Sequence, residues 1–409
     1  MTLDIVRVRR RVRGWGGHAL RRLGLLPAGT PDGLGDDAAL LHRTFEQRVV
    51  VYFAGTSQNL YQLRQWYSAL LALDTVHGVL VVCADSRVAR TVAAEQPLPV
   101  VTVGRAATLE AMAERSGTAV FCYVGHDNGN FGALRTSSVL HVFLSHGESD
   151  KRVAASNVIK AYDYAFVAGQ GAVDRFADEL LRFDAPAHVV PVGRPQLDAL
   201  VTGPRARDRE EPIVVLYAPT WEGSGAASAY SSVLSHGLHL VAALVADGRF
   251  RVVYRPHPRT GVSDARYASA DAAIRSAVVA AGDGNRVDAD GGDAYRTFAS
   301  ADVLVTDVSA IAFDWLATGR PLVVTVPPGT AQVASTRLLA TVPRLGAQDV
   351  AKVAELVARE VDLDPTADER AALVDYYFGT IGGATARFVA ECDRVVRERD
   401  DLRTERGRA

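Results

Sequence analysis

The sequence predicts an α/β protein made of two Rossmann-like halves, each built on a mostly parallel β-sheet. Short apolar runs rich in β-branched residues alternate with helix-spaced segments along most of the chain, which is typical of βαβ units. At 409 residues the chain is longer than one hydrophobic core usually fills. A polar stretch at 205–212 separates the two series of runs, so we expect a linker there and an active site in a cleft between the halves.

The apolar runs predict the strands in chain order. In the first half the strands are expected at 49–53, 78–83, 100–103, 119–124, 140–145, 164–168 and 188–192. In the second half they are expected at 213–217, 251–254, 303–305 and 322–326, followed by a helix near 350–361 and a helical tail from about 368 to 406. The predicted division is a basic N-terminal tail and linker at 1–45, a first domain at 46–204, a linker at 205–212, a second domain at 213–375 and a C-terminal helical tail at 376–409.

One β–loop–α–β unit, residues 301–324, is the most informative stretch. Its apolar strand ends at Thr306 and Asp307, and Ser309 precedes a helix-spaced run, after which Gly319 fits the left-handed residue beyond a helix end. In open α/β sheets, helix N–H groups and hydroxyls at such a loop bind phosphate-bearing ligands at the carboxyl end of the strands. The other interpretation is an N-cap serine beside a structural aspartate.

Composition narrows the class of protein. With 48% apolar and 22% charged residues, the chain can bury a large core, and a net charge of −2 gives no overall attraction to nucleic acid. The three cysteines lack metal-type spacing and indicate structural thiols in a reducing compartment. No apolar run approaches 18 residues and no signal-peptide pattern is present, so we expect neither a transmembrane helix nor secretion.

Residues 7–22 form a basic stretch with seven arginines interleaved with apolar residues. Such a stretch can bind an anionic membrane surface, at about 1 kcal/mol per basic residue near the lipids. The alternative is a solvated tail, since three glycines in the stretch disfavour a helix. We expect a cytoplasmic protein that is peripheral on the inner face of the cell membrane.

Four loops that follow predicted strands carry residues suited to chemistry. His146 follows a buried strand, where a neutral imidazole can act as a general base; the alternative is a histidine that caps the next helix. Arg255 and His257 lie among two prolines that stiffen the backbone, which suits fixed binding of a phosphoryl group; the alternative is a rigid, solvated loop. The other two loops are 192–198 and 216–221.

Absent motifs limit the chemistry. The sequence has no GxxxxGK[ST] phosphate loop, no GxGxxG after a strand, no GxSxG elbow and no metal-type spacing of His, Cys and carboxylates. Imidazoles, an arginine and helix-start hydroxyls remain. They suit transfer from a nucleotide diphosphate donor, with no cofactor and no tightly held metal.

Taken together, the motifs resemble those of the CDP-glycerol glycerophosphotransferases of teichoic acid synthesis. The resemblance covers roughly 140–390, and its motifs are His146-Gly147, Gly193-Arg194-Pro195-Gln196-Leu197-Asp198, Tyr217-Ala218-Pro219-Thr220-Trp221, Arg255-Pro256-His257-Pro258, Thr306-Asp307-Val308-Ser309, Phe313-Asp314-Trp315 and Arg320-Pro321. The resemblance implies a GT-B fold, a CDP-alcohol donor, peripheral membrane attachment and a lipid-linked polymer acceptor. It makes 46–204 the acceptor domain and 213–375 the nucleotide-donor domain.

The resemblance also implies roles for individual residues. His146 matches the base, and Arg255, His257 and Ser309 match contacts to the donor phosphates. The full set of predicted site residues is His146 and His257 for catalysis; Arg255, Thr306, Asp307, Ser309, Thr220 and Arg194 for binding the donor phosphates; and Glu148 and Lys151 on the acceptor side.

The chain departs from the family pattern at two places. It reads His-Gly-Glu-Ser-Asp-Lys where the family usually has His-Gly-Thr-Pro-Leu-Lys, so Glu148 and Asp150 bring carboxylates near the expected acceptor entrance. Ala310 stands where the family usually has a serine that is expected on the pyrophosphate. Both changes concern the acceptor and the donor alcohol and leave the transfer reaction in place.

Three functions are compatible with these residues. The first is transfer of a polyol phosphate from a CDP-linked donor to a hydroxyl of a cell-wall or capsule glycan or lipid-linked acceptor, with release of CMP. The second is a GT-B glycosyltransferase that uses a nucleotide sugar in the same cleft. The third is a non-catalytic protein that binds nucleotides or a membrane surface.

Overall fold

A computed structural model describes residues 31–145, 147, 156–200, 202–208, 210–223, 229–288, 294–328 and 336–408. Within this part of the chain the contacts define two compact units. The first runs to residue 146 and adds 160–166 and the segment from 386, and the second comprises 147–159 and 167–385. The predicted linker at 205–212 therefore lies inside the second unit, and most of the last helix lies in the first.

The strands form two sheets, as the alternating pattern predicts. β1 to β7 form a sheet of order β3-β2-β1-β4-β5-β6-β7, and β8 to β13 form one of order β10-β9-β8-β11-β12-β13. The pairings among β1 to β6 and among β8 to β13 are parallel. The strands are β1 Val49–Phe53, β2 Val79–Cys83, β3 Val100–Thr102, β4 Val120–Tyr123, β5 Leu140–Phe143, β6 Tyr164–Val167, β7 Val189–Pro191, β8 Ile213–Ala218, β9 Phe250–Tyr254, β10 Arg286–Val287, β11 Val303–Thr306, β12 Leu322–Val326 and β13 Arg344–Gly346.

Helices connect the parallel strands, which parallel pairing requires. Among the described residues the α-helices are α1 Asp37–Leu40, α2 Leu60–Arg64, α3 Tyr67–His77, α4 Ser86–Glu95, α5 Ala106–Ser116, α6 Asn130–Ala133, α7 Gln170–Glu179, α8 Ala185–His188, α9 Leu238–Ala246, α10 Ala265–Ala281, α11 Ala294–Ala299, α12 Ala310–Leu316, α13 Arg337–Thr341, α14 Val353–Leu363, α15 Ala367–Phe378 and α16 Ala384–Arg408. Within the described ranges, no helix combines the length and the apolar character needed to cross a bilayer.

The second sheet is buried on both faces. Along β11, Leu304 packs into one apolar cluster with Trp315 and Phe313, whereas Val303 and Val305 pack into the cluster on the other face. This alternation is the period-two pattern of a strand covered by helices on both sides. The polar side chains described below accordingly lie at or near the carboxyl ends of these strands.

The predicted β–loop–α–β unit is confirmed. β11 leads through a short loop to α12, Gly319 has a left-handed φ of 75°, and β12 follows at Leu322. The indole of Trp315 donates a hydrogen bond to the carbonyl of Pro321 at 2.9 Å, which joins the end of the helix to the next strand. The sequence predicts this unit correctly because the residues that mark its strand end, helix start and helix end all lie within it.

Two edge strands were not predicted. β10 has two residues and β13 has three, and both lie at the edges of the second sheet. Such short strands carry too few residues to show a periodic pattern, so pairing with a neighbouring strand defines them.

Residues 31–40, which the sequence assigns to the tail and linker, pack against the first sheet's helices. The Asp32 carboxylate accepts hydrogen bonds from the Ser86 N–H at 3.0 Å and hydroxyl at 2.6 Å, at the start of α4. The Asp37 carboxylate accepts from the N–H groups of Gly104 and Arg105, both at 3.1 Å, ahead of α5. Leu40 is buried. Acidic side chains of this segment thus bind N–H groups at the first residue of α4 and in the turn before α5.

Two truncated proteins test whether residues 31–40, unlike the residues before them, stabilise the fold. Deleting 1–40 should lower the free energy of unfolding by about 3–5 kcal/mol relative to deleting 1–30, because it removes the buried Leu40 side chain and the hydrogen bonds of Asp32 and Asp37. Denaturant unfolding of the two truncated proteins measures this difference. Equal stabilities would contradict a structural role for this segment.

Candidate active site in the second unit

Asp307 connects three segments at the carboxyl edge of the second sheet. Its side chain is 0% exposed. The carboxylate accepts the Thr220 N–H at 2.7 Å and the Ser232 N–H at 3.2 Å, and the Thr325 hydroxyl also donates to it. Burial raises the pKa of Asp307 to about 6, although the bonds from these donors act in the opposite direction. The carboxylate is therefore largely ionised at neutral pH.

These contacts suggest what Asp307 does. Protein donors surround both carboxylate oxygens, and a carboxylate repels the negative charge of a phosphate. We therefore assign Asp307 as the support of the loops after β8 and β11, although the sequence placed it among the donor-binding residues. The serine that it holds, Ser232, precedes a π-helical turn at Val233–Gly237.

Hydroxyl residues gather at the same place. The Thr306 hydroxyl donates to the carbonyl of Ala218 at 2.5 Å and lies 3.3 Å from the Ser309 hydroxyl. Ser309 occupies the N-cap position of α12 with extended backbone angles, but its side chain does not cap the helix. Its hydroxyl donates to the Asp307 carbonyl at 3.2 Å. Since the strand order reverses between β8 and β11, this edge is the switch point where open α/β sheets bind ligands.

Arg255 and His257 lie on the neighbouring loop, after β9. The Arg255 guanidinium forms an ion pair with Asp288 at 2.7 Å and lies 3.4 Å from the Thr297 hydroxyl. The Nδ1 atom of His257 accepts the Arg259 N–H at 3.1 Å. A neutral imidazole then carries its proton on Nε2, so His257 acts as a hydrogen-bond donor at that atom.

Glu222 joins the loop after β8 to the loop after β9. Its buried carboxylate accepts the Gly261 N–H at 2.9 Å, the Ser263 N–H at 2.7 Å and the Asp264 N–H at 3.2 Å. Sequence reasoning missed this residue. The only signal was a carboxylate directly after a motif, and its backbone partners 39–42 positions away were not predictable.

Arg194 is buried and neutralised. Its side chain forms an ion pair with Asp314, with one hydrogen bond at 2.8 Å, and lies 3.4 Å from the Tyr295 hydroxyl. Burial alone would lower the Arg194 pKa, but the attraction of Asp314 keeps it above the ordinary value. The pair joins two motifs of the family pattern, so Arg194 stabilises this unit rather than facing the donor with a spare charge.

The side chains of Asp198 and Arg320, two further motif residues, form hydrogen bonds with backbone groups. Asp198 accepts the N–H groups of Ala384 and Thr385 at 2.9 and 2.7 Å, at the start of α16. Arg320 donates to the carbonyls of Gly203, Phe298 and Ala301 at 2.7–2.9 Å. Much of the family pattern thus encodes the fold of the unit.

Three predicted site residues, His146, Glu148 and Lys151, lie outside the described residues. The adjacent Gly147 is described and packs against α12: a Cβ added to it would lie 2.8 Å from the Cβ of Ala310. Gly147, which follows His146 in the chain, therefore lies against the helix that starts after Ser309. Among the described residues, no group of three or more His, Cys, Asp or Glu side chains could hold a metal ion.

The contact between Gly147 and Ala310 can be tested with a compensating substitution. We expect Gly147→Ala to displace the loop, lower turnover and destabilise the protein by about 1–3 kcal/mol, the usual cost of overpacking. Adding Ala310→Gly removes the opposing methyl group and should restore both properties. Gly248→Ala, whose added Cβ meets nothing within 4 Å, is the control. A double variant as impaired as Gly147→Ala would contradict this contact.

Comparison with known proteins places the site in a family. Residues 136–330 match the family described as CDP-Glycerol:Poly(glycerophosphate) glycerophosphotransferase. No curated protein sequence matches the chain.

Solved structures share the fold. The wall teichoic acid polymerase TagF has a TM-score of 0.57 at 14% identity, over 98% of this chain and 97% of that one. HepE from Anabaena, solved with UDP and glucose, has a TM-score of 0.51 at 11% identity, over 85% and 100%. A glycosyltransferase from Rickettsia africae has a TM-score of 0.50 at 10% identity, over 87% and 99%. At these identities the likeness establishes the fold, and the predicted GT-B-like α/β class is confirmed.

The family match spans the loops after β8, β9 and β11 described above. It confirms the resemblance drawn from the motifs and the expected enzyme class, a phosphotransferase of the CDP-alcohol type. Residues 136–330 of this chain therefore resemble the CDP-glycerol:poly(glycerophosphate) glycerophosphotransferase family in sequence.

Proposed function

We propose that this protein transfers a glycerol-phosphate-type group from a CDP-linked donor to a hydroxyl of a cell-wall or capsule glycan or lipid-linked acceptor, and releases CMP. The observation that carries the proposal is the family match at 136–330, which includes the loops that meet at the carboxyl edge of the second sheet. The chemistry of those loops supports it.

The donor diphosphate would bind among neutral donors and cations. Thr220 and Ser309 would supply hydroxyls beside the start of α12, with the Ser309 hydroxyl turning from the Asp307 carbonyl to a phosphate oxygen. The Thr306 hydroxyl stays on the Ala218 carbonyl next to Ser309, and His257 would supply the Nε2–H group. Arg255 contributes charge that it shares with Asp288. Hydrogen-bond donors fixed before the substrate arrives stabilise the charge that develops on the phosphoryl oxygens.

In the proposed reaction an acceptor hydroxyl oxygen attacks the β-phosphorus of the donor. The new oxygen–phosphorus bond forms as the bond from that phosphorus to the bridging oxygen breaks, and CMP leaves with the bridging oxygen. His146 takes the proton of the attacking hydroxyl. The contact of Gly147 with Ala310 supports this role, since it brings the neighbour of His146 to the helix that begins after Ser309.

The proposed contacts to the acceptor and to the membrane come from the sequence alone. Glu148 and Lys151 remain the proposed acceptor contacts, and the basic stretch at 7–22 remains the proposed attachment to an anionic membrane surface. Because this stretch would attach the protein to the membrane, we also propose a cytoplasmic enzyme on the inner face of the membrane. The proposed reaction uses no cofactor and no tightly bound metal.

The alternative function is glycosyl transfer from a nucleotide sugar. The fold shared with HepE, which was solved with UDP and glucose, favours it as a second candidate. The two reactions attack different atoms, the β-phosphorus or the anomeric carbon. They therefore release different nucleotides, CMP from a CDP-alcohol or a nucleoside diphosphate from a nucleotide sugar.

Replacing His146 tests the reaction and the role of the base together. We expect the wild-type protein to release CMP from CDP-glycerol and no UDP from UDP-glucose when an acceptor is present. His146→Ala should lower turnover about 10²–10⁴-fold, the usual contribution of a positioned base. Activity should fall as the pH drops through the imidazole pKa, ordinarily about 6.5, because a base must be neutral.

The control is His239→Ala, which removes an exposed histidine from α9 and should retain full turnover. Release of UDP would favour the glycosyltransferase, and turnover unchanged by His146→Ala would exclude the histidine as the base. A wild-type protein that binds CDP-glycerol and never releases CMP would support a non-catalytic binding protein.

A further inference from the structure

The guanidinium of Arg259, a residue outside the sequence motifs, packs on the ring of Trp221. The guanidinium carbon of Arg259 lies 4.0 Å from the centre of the Trp221 ring, the geometry of a cation–π contact. The ring of His257 lies nearly parallel to Trp221, with 6.3 Å between ring centres and 24° between planes. Three side chains from the loops after β8 and β9 thus form one group at the carboxyl edge of the second sheet.

Arg259 differs from the two arginines that the sequence predicted for donor binding. Arg255 is paired with Asp288 and Arg194 with Asp314. In the described ranges, no carboxylate pairs with the Arg259 guanidinium, and its buried Nε–H has no hydrogen-bond partner. Its positive charge is therefore available to an anion.

The next residue points to a ligand as well. The hydroxyl oxygen of Thr260 is buried and, within the described part of the chain, has no hydrogen-bond partner. Native proteins rarely leave a buried donor unpaired, and a bound molecule is one of the few explanations. Two adjacent residues thus present unpaired polar groups beside His257.

The loop holds these groups in place before a ligand arrives. Glu222 binds the N–H groups of Gly261 and Ser263, and the Arg259 N–H bonds the His257 ring. The Thr260 N–H donates to the His257 carbonyl at 2.9 Å. A cation fixed by a ring beneath it and by its own backbone loses little freedom on binding.

We propose that Arg259, supported by Trp221, binds the diphosphate of the donor together with the Thr260 hydroxyl. The inference deepens the proposed function and rests on it. A guanidinium matches two phosphate oxygens at once, which an imidazole cannot do. Arg259 is a further donor-binding residue, and Trp221 is a positioning residue that acts through it.

Calorimetry of CDP and CMP binding tests the assignment. Arg259→Gln should raise the Kd for CDP about 10- to 100-fold, the usual effect of losing a charge-assisted phosphate contact, and should affect CMP less because CMP lacks the second phosphate. Trp221→Leu should also weaken CDP binding, whereas Trp221→Phe retains a ring and should restore most of the affinity. Arg266→Gln is the matched control, since it removes the same charge from an exposed pair with Asp264 in the same region.

The outcomes distinguish a wrong role for Arg259 from a wrong donor. If wild-type protein binds CDP and Arg259→Gln binds it equally well, Arg259 is not a diphosphate contact. If wild-type protein binds neither CDP nor CMP, the proposed donor is wrong and the assignment fails with it. Should Arg259→Gln not fold, Arg259→Lys gives the answer, because a point charge without the planar fork should still weaken CDP binding; unchanged affinity would overturn the assignment.

Discussion

The buried carboxylate of Asp307 is the constraint on which the second unit's loops depend. Its oxygens accept hydrogen bonds from the N–H groups of Thr220 and Ser232 and from the Thr325 hydroxyl instead of from water. The three segments that carry these donors must therefore meet at one point. Leaving those donors unpaired inside the protein would cost about 1–3 kcal/mol for each group. The loops after β8 and β11 therefore have one favourable arrangement, and the hydroxyl residues of the site follow from it.

The arginines of the site differ in how their positive charge is compensated. Arg194 and Arg255 are neutralised by Asp314 and Asp288, as buried or half-buried cations generally must be. Arg259 instead lies on the Trp221 ring, which compensates part of the desolvation and leaves the charge for a ligand. A motif arginine can thus encode the fold, while the neighbouring one outside the motif serves the substrate.

The sequence predicted those features whose signals are local. The strand ending at Thr306, the helix start after Ser309 and the left-handed Gly319 all lie within one short stretch. It could not predict that Asp307 reaches Thr220 across 87 residues or that Glu222 holds Gly261, because residue type alone does not identify a distant backbone partner. The docking of residues 31–40 was missed for the same reason, since a stretch rich in Gly and Asp is typical of a linker and equally of helix caps.

Hydrogen exchange with bound CDP tests the central claim that the donor diphosphate binds on the loops that Asp307 and Glu222 hold together. Peptides covering 216–223 and 255–264 report on those loops, and peptides from the strands of the first sheet serve as the internal reference. We expect CDP to slow amide exchange in both loops and to leave the exchange of the reference strands unchanged. Protection confined to the first unit, with no change in either loop, would contradict it.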